Sequence, residues 1–247
     1  MGFVNKTVLV TGASRGIGYE TAKLFAKGGY NVALNYNQSK KSTEALVNEL
    51  AKAGHRAMLV QADVACREQV VSMIDSVNKR FGEIDVLVNN AGMAKQALFT
   101  DISLQEWDRM FDVNVKGMFL CCQGVLPAMI RNKSGKIINI SSVWGMTGAS
   151  CEVLYSSTKA AVIGMTKALA KELGPSGIQV NCVAPGVIDT DMNSDLDENA
   201  FEDLKEQTPL GTIGKCIDVA EVIAFLASEK AGFITGQVIS PNGGFLI

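Results

Sequence analysis

The stretch from Thr7 to Gly18 reads TVLVTGASRGIG and determines how the rest of the chain is interpreted. It opens with a short run of β-branched and aliphatic residues, which is typical of a buried strand. A glycine-rich turn follows and leads into an amphipathic segment that predicts a helix. Glycine lets the backbone approach a phosphate closely, and the N–H groups at the start of a helix attract an anion. The stretch therefore predicts a nucleotide-binding unit; a tight turn without any ligand is the alternative.

Outward from this unit, short apolar runs alternate with longer amphipathic stretches. The predicted strands span residues 7–10, 31–36, 57–61, 86–89, 136–140, 179–183 and 237–239. The predicted helices span residues 17–27, 40–53, 68–81, 104–131, 155–173 and 219–227. Nearly continuous apolar strands separated by helices are typical of a parallel sheet buried on both faces. We therefore expect an α/β fold: a single Rossmann-type domain over residues 1–247, with a doubly wound parallel sheet of about seven strands and helices on both faces.

One segment breaks this alternation. Residues 189–210 are polar and acidic, and they follow the sixth predicted strand directly. Ligands of open α/β sheets bind at the carboxyl ends of the strands. We therefore interpret the segment as a substrate lid, with an ordinary surface insertion as the alternative.

Composition argues against several function classes. The chain has 247 residues and a net charge of -2, which argues against the broad basic surface of a nucleic-acid-binding protein. Its six cysteines are scattered and its single histidine, His55, has no partner at metal-ligand spacing, so no metal site is expected. No apolar run approaches a membrane span, and the N-terminus lacks the apolar region of a signal peptide. We therefore expect a cytoplasmic protein without a membrane partner.

Further motifs follow the glycine-rich turn in a fixed order. They are Asn89-Asn90-Ala91-Gly92, Asn114, Tyr155-x-x-x-Lys159, Pro185-Gly186 and Asn242-Gly243-Gly244. Together with the Gly-x-x-x-Gly-x-Gly turn, this order resembles the short-chain dehydrogenase/reductase family over essentially the whole chain. The resemblance implies an oxidoreductase that acts on a C=O or CH–OH group with a nicotinamide dinucleotide.

The end of the second predicted strand indicates which dinucleotide binds. Enzymes that use NAD place a carboxylate there for the ribose hydroxyls, whereas a basic side chain accommodates the 2′-phosphate of NADP. The strand ends Leu34-Asn35-Tyr36-Asn37 without a carboxylate. Arg15 lies in the glycine-rich turn, where the NADP-using members that this sequence resembles carry a basic residue. We therefore expect NADP(H) as the cofactor.

The resemblance also implies which residues contact the cofactor. They are Gly12, Ser14, Arg15, Gly16, Ile17 and Gly18 at the phosphates, Asp63 and Val64 at the adenine, Asn89, Ala91 and Gly92 at the ribose, and Pro185, Gly186, Ile188 and Thr190 at the nicotinamide. Tyr155 and Lys159 also contact the cofactor, and Lys159 does so by hydrogen bonding to the nicotinamide ribose. A polar turn after a buried strand is the alternative for the Asn89 motif.

Tyr155 and Lys159 also form the candidate catalytic pair. Hydride reduction of a ketone leaves an oxyanion that needs a proton, and a tyrosine can supply it if a nearby positive charge lowers its pKa. Residues four apart lie on one face of a helix, so we expect Lys159 to lower the pKa of Tyr155. On spacing alone, Tyr155 and Lys159 could be two exposed side chains without a catalytic role. The other motifs favour catalysis.

Two more catalytic residues are implied by the resemblance. Ser142 follows the fifth predicted strand, where the family has a carbonyl-orienting serine, and a hydroxyl there can stabilise the developing oxyanion. Asn114 lies inside the long predicted helix, where the family uses it to hold a water in a proton relay; a satisfied interior asparagine is the alternative. Trp144 is expected to line the substrate pocket, and Cys121 and Cys122 are expected in the core.

The substrate stays open between two subgroups. KALAKEL after the catalytic lysine and GQV before the final NGG resemble bacterial 3-oxoacyl-acyl-carrier-protein reductases. Lys133 matches one basic position that docks the carrier protein, whereas Ser176 stands where an arginine is expected. The stretches WGMTGASCE (144–152) and GVIDTDMN (186–193) resemble reductases of the 5-aminopentanone modification on elongation factor P. We expect the carrier-linked 3-oxoacyl thioester first, with that modification or another small ketone as the alternative.

Two expectations concern function class and assembly. A non-catalytic dinucleotide-binding sensor would lack Ser142, Tyr155 or Lys159, and all three are present. Family members form tetramers through two long helices, here residues 104–131 and 155–173, whose apolar residues exceed a single buried stripe. We expect an enzyme that forms a homotetramer.

Overall fold

The computed structural model describes residues 6–190 and 198–247. Its strands, in chain order, are β1 (Thr7–Val10), β2 (Asn31–Tyr36), β3 (Ala57–Gln61), β4 (Val86–Asn89), β5 (Gly135–Ile140), β6 (Ile178–Val183), β7 (Ile188–Asp189), β8 (Gly214–Lys215) and β9 (Val238–Ile239). All except β7 and β8 form one parallel seven-stranded sheet, and those two pair separately. The predicted α/β fold and its seven strands are confirmed.

Helices connect these strands and cover the sheet. They are α1 (Gly16–Lys27), α2 (Lys40–Lys52), α3 (Arg67–Phe81), α4 (Leu104–Phe111), α5 (Gly117–Asn132), α6 (Trp144–Thr147), α7 (Val153–Leu173), α8 (Glu198–Glu206) and α9 (Cys216–Ala227). The single helix predicted over residues 104–131 is interrupted by a π-helical turn, Asp112–Lys116, in which the Gly117 N–H donates to the Asp112 carbonyl. Such turns often occur at functional sites, and Asn114 lies in this one.

Both faces of the sheet are buried because successive strand residues point to opposite sides. Leu9 of β1 belongs to the core formed with α3, α5 and α7. Its neighbours Val8 and Val10 belong to the core formed with α1, α2 and α9. All three side chains are fully buried, which explains why the strands read as continuous apolar runs.

The strand order places a crevice beside β1 and β4. The order is β3-β2-β1-β4-β5-β6-β9, so the chain reverses its winding direction between β1 and β4. Val10 of β1 pairs with Leu34 of β2 and Val88 of β4, which brings three carboxyl ends side by side. Ligands of doubly wound sheets bind at this kind of switch point.

The helical stretch Leu104–Asn132 is long and apolar enough, by length and composition alone, to cross a membrane. In this fold Cys121, Cys122 and Met129 on that stretch are buried in the core beneath the sheet. The stretch therefore has the burial of a core helix, and the two cysteines lie in the core as predicted.

The segment predicted as a lid lies only partly within the described residues. Residues 191–197 lie outside them, whereas α8 occupies the later part of the segment. At its start, Ile188 of β7 pairs in parallel with Gly214 of β8. These two-residue strands were not predicted, and the lid role stays a prediction.

Candidate active site

Glycines shape the turn between β1 and α1. Gly12 has a φ of 63° and Gly16 a φ of 59°, both in the left-handed region. A Cβ on Gly12 would lie 2.8 Å from the Cα of Ala91, and a Cβ on Gly18 would lie 2.5 Å from the Gly12 carbonyl oxygen. The absence of side chains at these positions lets the start of α1 lie close to the ends of β1 and β4.

Thr11 and Asn90 tie this turn to the end of β4. The Thr11 hydroxyl accepts hydrogen bonds from the Asn90 and Ala91 N–H groups, both at 3.0 Å, and donates one to the Val88 carbonyl. The Asn90 side chain donates to the Thr11 and Gly12 carbonyls, also at 3.0 Å. Asn90 belongs to the motif predicted to line the ribose, but the bracing role that both residues have in this turn was not predicted, although each directly follows a predicted strand.

The turn and the end of β2 fit a dinucleotide that carries a 2′-phosphate. Arg15 precedes α1 in an extended conformation and its side chain does not cap the helix, so the first-turn N–H groups remain for an anion. β2 ends at Tyr36 without a carboxylate, and the preceding Asn35 is buried beside the turn, with its side-chain oxygen 3.2 Å from the Gly12 nitrogen. Its side-chain nitrogen lies 3.0 Å from the Ala62 carbonyl oxygen. The exposed Arg15 and the uncharged strand end agree with the predicted NADP(H).

Asp63 and Val64 follow β3 on the far side of the crevice. The Asp63 carboxylate accepts hydrogen bonds from the Arg109 guanidinium at 2.9 Å and from the Ala65 N–H at 3.0 Å. Val64 is buried, and a Cβ on Gly117 would lie only 2.7 Å from its Cγ2. Arg109 of α4 therefore orients the predicted adenine contact, a role that its sequence position did not indicate.

Ser142, Tyr155 and Lys159 form one cluster where β5 ends against α7. The Ser142 hydroxyl, which accepts from the Trp144 N–H at 3.2 Å, is close enough to Tyr155 to affect its pKa, and the Lys159 Nζ lies 5.5 Å from the centre of the Tyr155 ring. Lys159 Nζ also donates to the Ile140 carbonyl at 2.9 Å. Each of the three predicted catalytic side chains is less than a tenth exposed. The cluster lies in the helix layer beside the carboxyl end of the sheet.

Backbone contacts on both sides of Ser142 fix its position. The Ser141 hydroxyl donates to the Lys159 carbonyl at 2.8 Å, and its N–H donates to the Val183 carbonyl at 2.7 Å. The Val143 N–H donates to the Pro185 carbonyl at 3.0 Å. Ser142 is thereby held between α7 and the loop that follows β6.

Burial has the largest effect on the pKa values of Tyr155 and Lys159. It raises the pKa of Tyr155 to about 12, against the opposing effect of the Ser142 hydrogen bond and with a smaller contribution from the Glu152 carboxylate. Burial also lowers the pKa of Lys159 to about 8. The predicted net lowering of the Tyr155 pKa is not found in this structure, because desolvation outweighs the stabilisation of a phenolate by the neighbouring Lys159.

Asn114 anchors the loop after β4 beside Lys159. Its amide donates to the Met93 carbonyl at 2.9 Å and to the Thr158 hydroxyl at 3.0 Å, while its oxygen accepts from the Met93 N–H at 2.8 Å. A Cβ on Gly92 would lie 3.4 Å from both the Asn114 oxygen and the Lys159 Nζ. These contacts are those of a satisfied interior asparagine, and the water-relay role stays a prediction.

Asn89 lies behind the crevice rather than on its open side. It is buried, and its amide donates to the Asn139 side-chain oxygen at 2.9 Å across β4 and β5. Together with Thr11, Ala91 and Asn114 it lines a small cavity. Asn89, the first residue of the segment predicted to line the ribose, therefore joins β4 to β5.

The loop after β6 brings the predicted nicotinamide contacts toward the phosphate turn. Gly186 packs against the C-terminal segment, where a Cβ would lie 2.8 Å from the Cα of Asn242. Ile188 is buried, and the Thr190 Cγ2 lies 3.7 Å from the position of a Cβ on Gly16. Both ends of the predicted cofactor site therefore border one crevice.

Tyr155 belongs to a small apolar cluster. The other members of the cluster are Met93, Ala94, Ile102, Trp107, Met110, Phe111, Trp144 and Leu154. The Trp144 ring contacts Phe245 edge to face, with ring centres 5.5 Å apart. Trp144 thus lies beside Tyr155, in agreement with its predicted place at the substrate pocket.

The chemistry available to this cluster is proton transfer to an oxygen. A phenol and a neighbouring hydroxyl can both donate to an oxyanion, and the nearby ammonium stabilises the resulting phenolate. Among residues 6–190 and 198–247, no three His, Cys, Asp or Glu side chains are grouped to hold a metal ion. The site thus offers an acid, an oxyanion donor and a cation in one place.

Comparison with known proteins yields full-length relatives. Residues 12–246 match the model of a family described as enoyl-(acyl carrier protein) reductase. The chain is 48% identical over 241 residues to a 3-oxoacyl-acyl-carrier-protein reductase, FabG, of Staphylococcus epidermidis, covering 98% of this chain and 99% of that protein. It is 43% identical to the subunit BbsD of a hydroxy(phenyl)methylsuccinyl-CoA dehydrogenase of Thauera aromatica, covering 99% and 98%. It is 41% identical to the uncharacterized oxidoreductase YmfI of Bacillus subtilis, covering 98% and 99%.

Proposed function

Since this chain belongs to the short-chain dehydrogenase/reductase family, we propose that it reduces the ketone of a 3-oxoacyl thioester on acyl carrier protein with NADPH. The observation that carries the proposal is the convergence of Ser142, Tyr155 and Lys159 beside a crevice bordered by the glycine-rich turn. A non-catalytic sensor has no need of that cluster. Two relatives named for carrier-protein or coenzyme A thioesters support the substrate class.

Tyr155 is the proton donor in this reaction. When bound, NADPH supplies the hydride that reduces the carbonyl carbon. A pKa of about 12 keeps Tyr155 protonated at neutral pH, so its proton is available when negative charge develops on the carbonyl oxygen. The Ser142 hydroxyl donates a hydrogen bond to the same oxygen. The Lys159 ammonium, 5.5 Å from the ring, stabilises the phenolate that remains.

The residues that hold the cofactor follow the crevice from end to end. Residues 12–18 bind the phosphates, with Arg15 at the 2′-phosphate. Asp63 contacts the adenine in the orientation that Arg109 imposes. Residues 89–92 line a ribose of the cofactor, Lys159 binds the nicotinamide ribose, and residues 185–190 bind the nicotinamide.

Reduction of the 5-aminopentanone modification on elongation factor P is the second candidate. Residues 144–152, which carry that resemblance, form α6 and the loop directly between Ser142 and Tyr155. A segment in that place borders the reacting carbonyl, so its sequence bears directly on substrate choice.

The proposal extends to assembly and location. We propose a cytoplasmic homotetramer of single-domain subunits, in which residues 189–210 act as the substrate lid. Phe119 and Ile130 of α5 and Val153 of α7 are exposed large apolar side chains, which supports association through these helices. A sedimentation profile of a monomer would contradict this assembly.

The activity is tested by NADPH consumption with acetoacetyl thioesters on carrier protein and on coenzyme A. NADH and a Tyr155→Phe variant serve as controls. Turnover of the carrier-linked thioester that is weak with NADH and lost in the variant supports the proposal. Poor turnover of both thioesters by a protein that binds NADPH contradicts it and favours the elongation factor modification or another ketone.

A further inference from the structure

A chain of hydrogen bonds between buried polar side chains connects β4, β5 and α7. The Asn89 amide of β4 donates to the Asn139 side-chain oxygen of β5 at 2.9 Å. The Asn139 amide in turn donates to the Thr166 hydroxyl of α7, also at 2.9 Å. Thr166 donates to the Val162 carbonyl of the same helix at 2.8 Å. The chain therefore joins two neighbouring strands to the helix that carries the proposed proton donor.

Asn139, the central residue of this chain, occupies a position that an apolar side chain could fill. It is fully buried, and Ile137, two residues earlier on the same face of β5, belongs to the apolar core shared with α5 and α7. A buried amide costs free energy unless it is hydrogen-bonded, and replacing bonded polar partners with apolar groups of the same shape can leave stability nearly unchanged. Stability alone therefore does not explain the amide. Its hydrogen bonds add a fixed direction that apolar packing lacks.

These bonds hold α7 against β5 at a second level along the helix. At the first level, the Lys159 ammonium donates to the Ile140 carbonyl at 2.9 Å, and the Ser141 hydroxyl donates to the Lys159 carbonyl at 2.8 Å. Thr166 lies seven residues after Lys159, about two turns further along the same face of the helix. There Asn139 makes the second connection. Directional bonds at both levels fix how far α7 can slide or turn against the strand.

The other end of the chain is the segment proposed to line a ribose of the cofactor. Asn89 is the first residue of that segment, residues 89–92. At its last residue, Gly92, a Cβ would lie only 3.4 Å from the Lys159 Nζ. Asn139 is therefore bonded on one side to the strand that ends in this segment and on the other to the helix that carries Tyr155. Hydride and proton must reach the same carbonyl group, so the relative position of β4 and α7 affects both transfers.

We propose that Asn139 is a positioning residue for ketone reduction, holding α7 and the ribose-lining segment in the register that the two transfers require. The inference rests on the proposed function and extends it to a residue that is not itself assigned to the cofactor or substrate site. A misplacement of about 1 Å between reacting groups can slow a reaction about 10²-fold. Loss of the Asn139 bonds should therefore slow the chemical step far more than it weakens cofactor binding.

Two variants break the chain at different links. Asn139→Val removes the amide, and Thr166→Val keeps the shape of the side chain but removes the hydroxyl that accepts from Asn139. In single-turnover reduction by the preformed NADPH complex, each should slow the chemical step at least about tenfold while calorimetric affinity for NADPH stays within about threefold of the wild type. Thr166→Ser keeps the hydroxyl and should recover a rate close to that of the wild type. Thr43→Val is the matched control and should keep the wild-type rate, because Thr43 is equally buried and donates to the carbonyl four residues earlier, but lies on α2.

The outcomes separate this inference from the proposed function. The comparison uses any ketone that the wild type reduces, so a wild type that reduces none overturns ketone reduction and the inference together. If the wild type is active and Thr166→Val keeps its single-turnover rate, the positioning role is overturned and ketone reduction stands. A rate loss that Thr166→Ser does not recover, or that is matched by an equal loss of NADPH affinity, indicates general damage to the fold and also overturns the role. A slow chemical step at nearly unchanged NADPH affinity, recovered by Thr166→Ser, supports it.

Discussion

Replacing Lys159 with methionine is expected to stabilise the protein at neutral pH. Lys159 is only 5% exposed. Burial lowers its pKa from 10.5 to about 8, which corresponds to about 3 kcal/mol of weaker proton binding in the folded state. Methionine has a similar volume and removes this penalty, but it leaves the Ile140 carbonyl without its donor at a cost of about 1–2 kcal/mol. The net gain in the free energy of unfolding is then about 1–2 kcal/mol.

The gain in the free energy of unfolding of Lys159→Met depends on pH in a defined way. Below pH 8 the lysine is protonated in both the folded and the unfolded state, so the full penalty is present in the wild type. Between about pH 8 and pH 10.5 the unfolded chain still binds a proton that the folded protein has lost, so the stability of the wild type rises with pH. The advantage of the methionine variant should therefore shrink across this window and reverse near its upper end.

Urea unfolding at about pH 7 and about pH 10, at one protein concentration, measures this difference. Lys167→Met is the matched control, because Lys167 lies on the same helix but is exposed, and it should change stability by less than about 0.5 kcal/mol. A Lys159→Met variant that is less stable than the wild type at neutral pH would refute the reasoning. So would a difference that does not shrink at high pH.

Three further substitutions test the cofactor crevice. Gly18→Ala places a Cβ 2.5 Å from the Asn90 side-chain nitrogen, so overpacking should lower stability by about 1–3 kcal/mol in thermal unfolding; an unchanged Tm would contradict the close approach. Thr11→Val leaves two N–H groups without their acceptor and should cost about 2 kcal/mol and weaken NADPH binding in calorimetry, whereas wild-type values would show that the hydroxyl is dispensable. Arg15→Ala should raise the KM for NADPH at least about tenfold with little change for NADH, and a parallel loss with both cofactors would remove Arg15 from the 2′-phosphate.

Much of the sheet could be predicted from the sequence, because β-branched runs between glycine-rich turns have few alternative structures. The π-helical turn that interrupts the long helix could not be predicted. Apolar residues continue at helical spacing on both sides of Asp112–Lys116, and a single wider turn changes that spacing by one residue only. The β7–β8 pair also escaped prediction, because two-residue strands have no periodicity to detect.

Some features of the candidate site could also be predicted from the sequence, and others could not. Ordered motifs identify Ser142, Tyr155 and Lys159, and the structure brings them together. Helical spacing predicts that Tyr155 and Lys159 are neighbours, but it carries no information on burial, which determines the pKa of each. Arg109 could not be assigned, because its partner Asp63 lies on another element and no local pattern joins them.

Proton donation by Tyr155 is tested most directly by single-turnover reduction of a ketone in the preformed NADPH complex of the wild type and of Tyr155→Phe. The substitution removes one hydroxyl and leaves the ring in its apolar cluster. We predict that the variant binds NADPH with an affinity within about threefold of the wild type and that its chemical step is slower by about 10²–10⁴. A chemical step in the variant within about tenfold of the wild type would contradict this role of Tyr155.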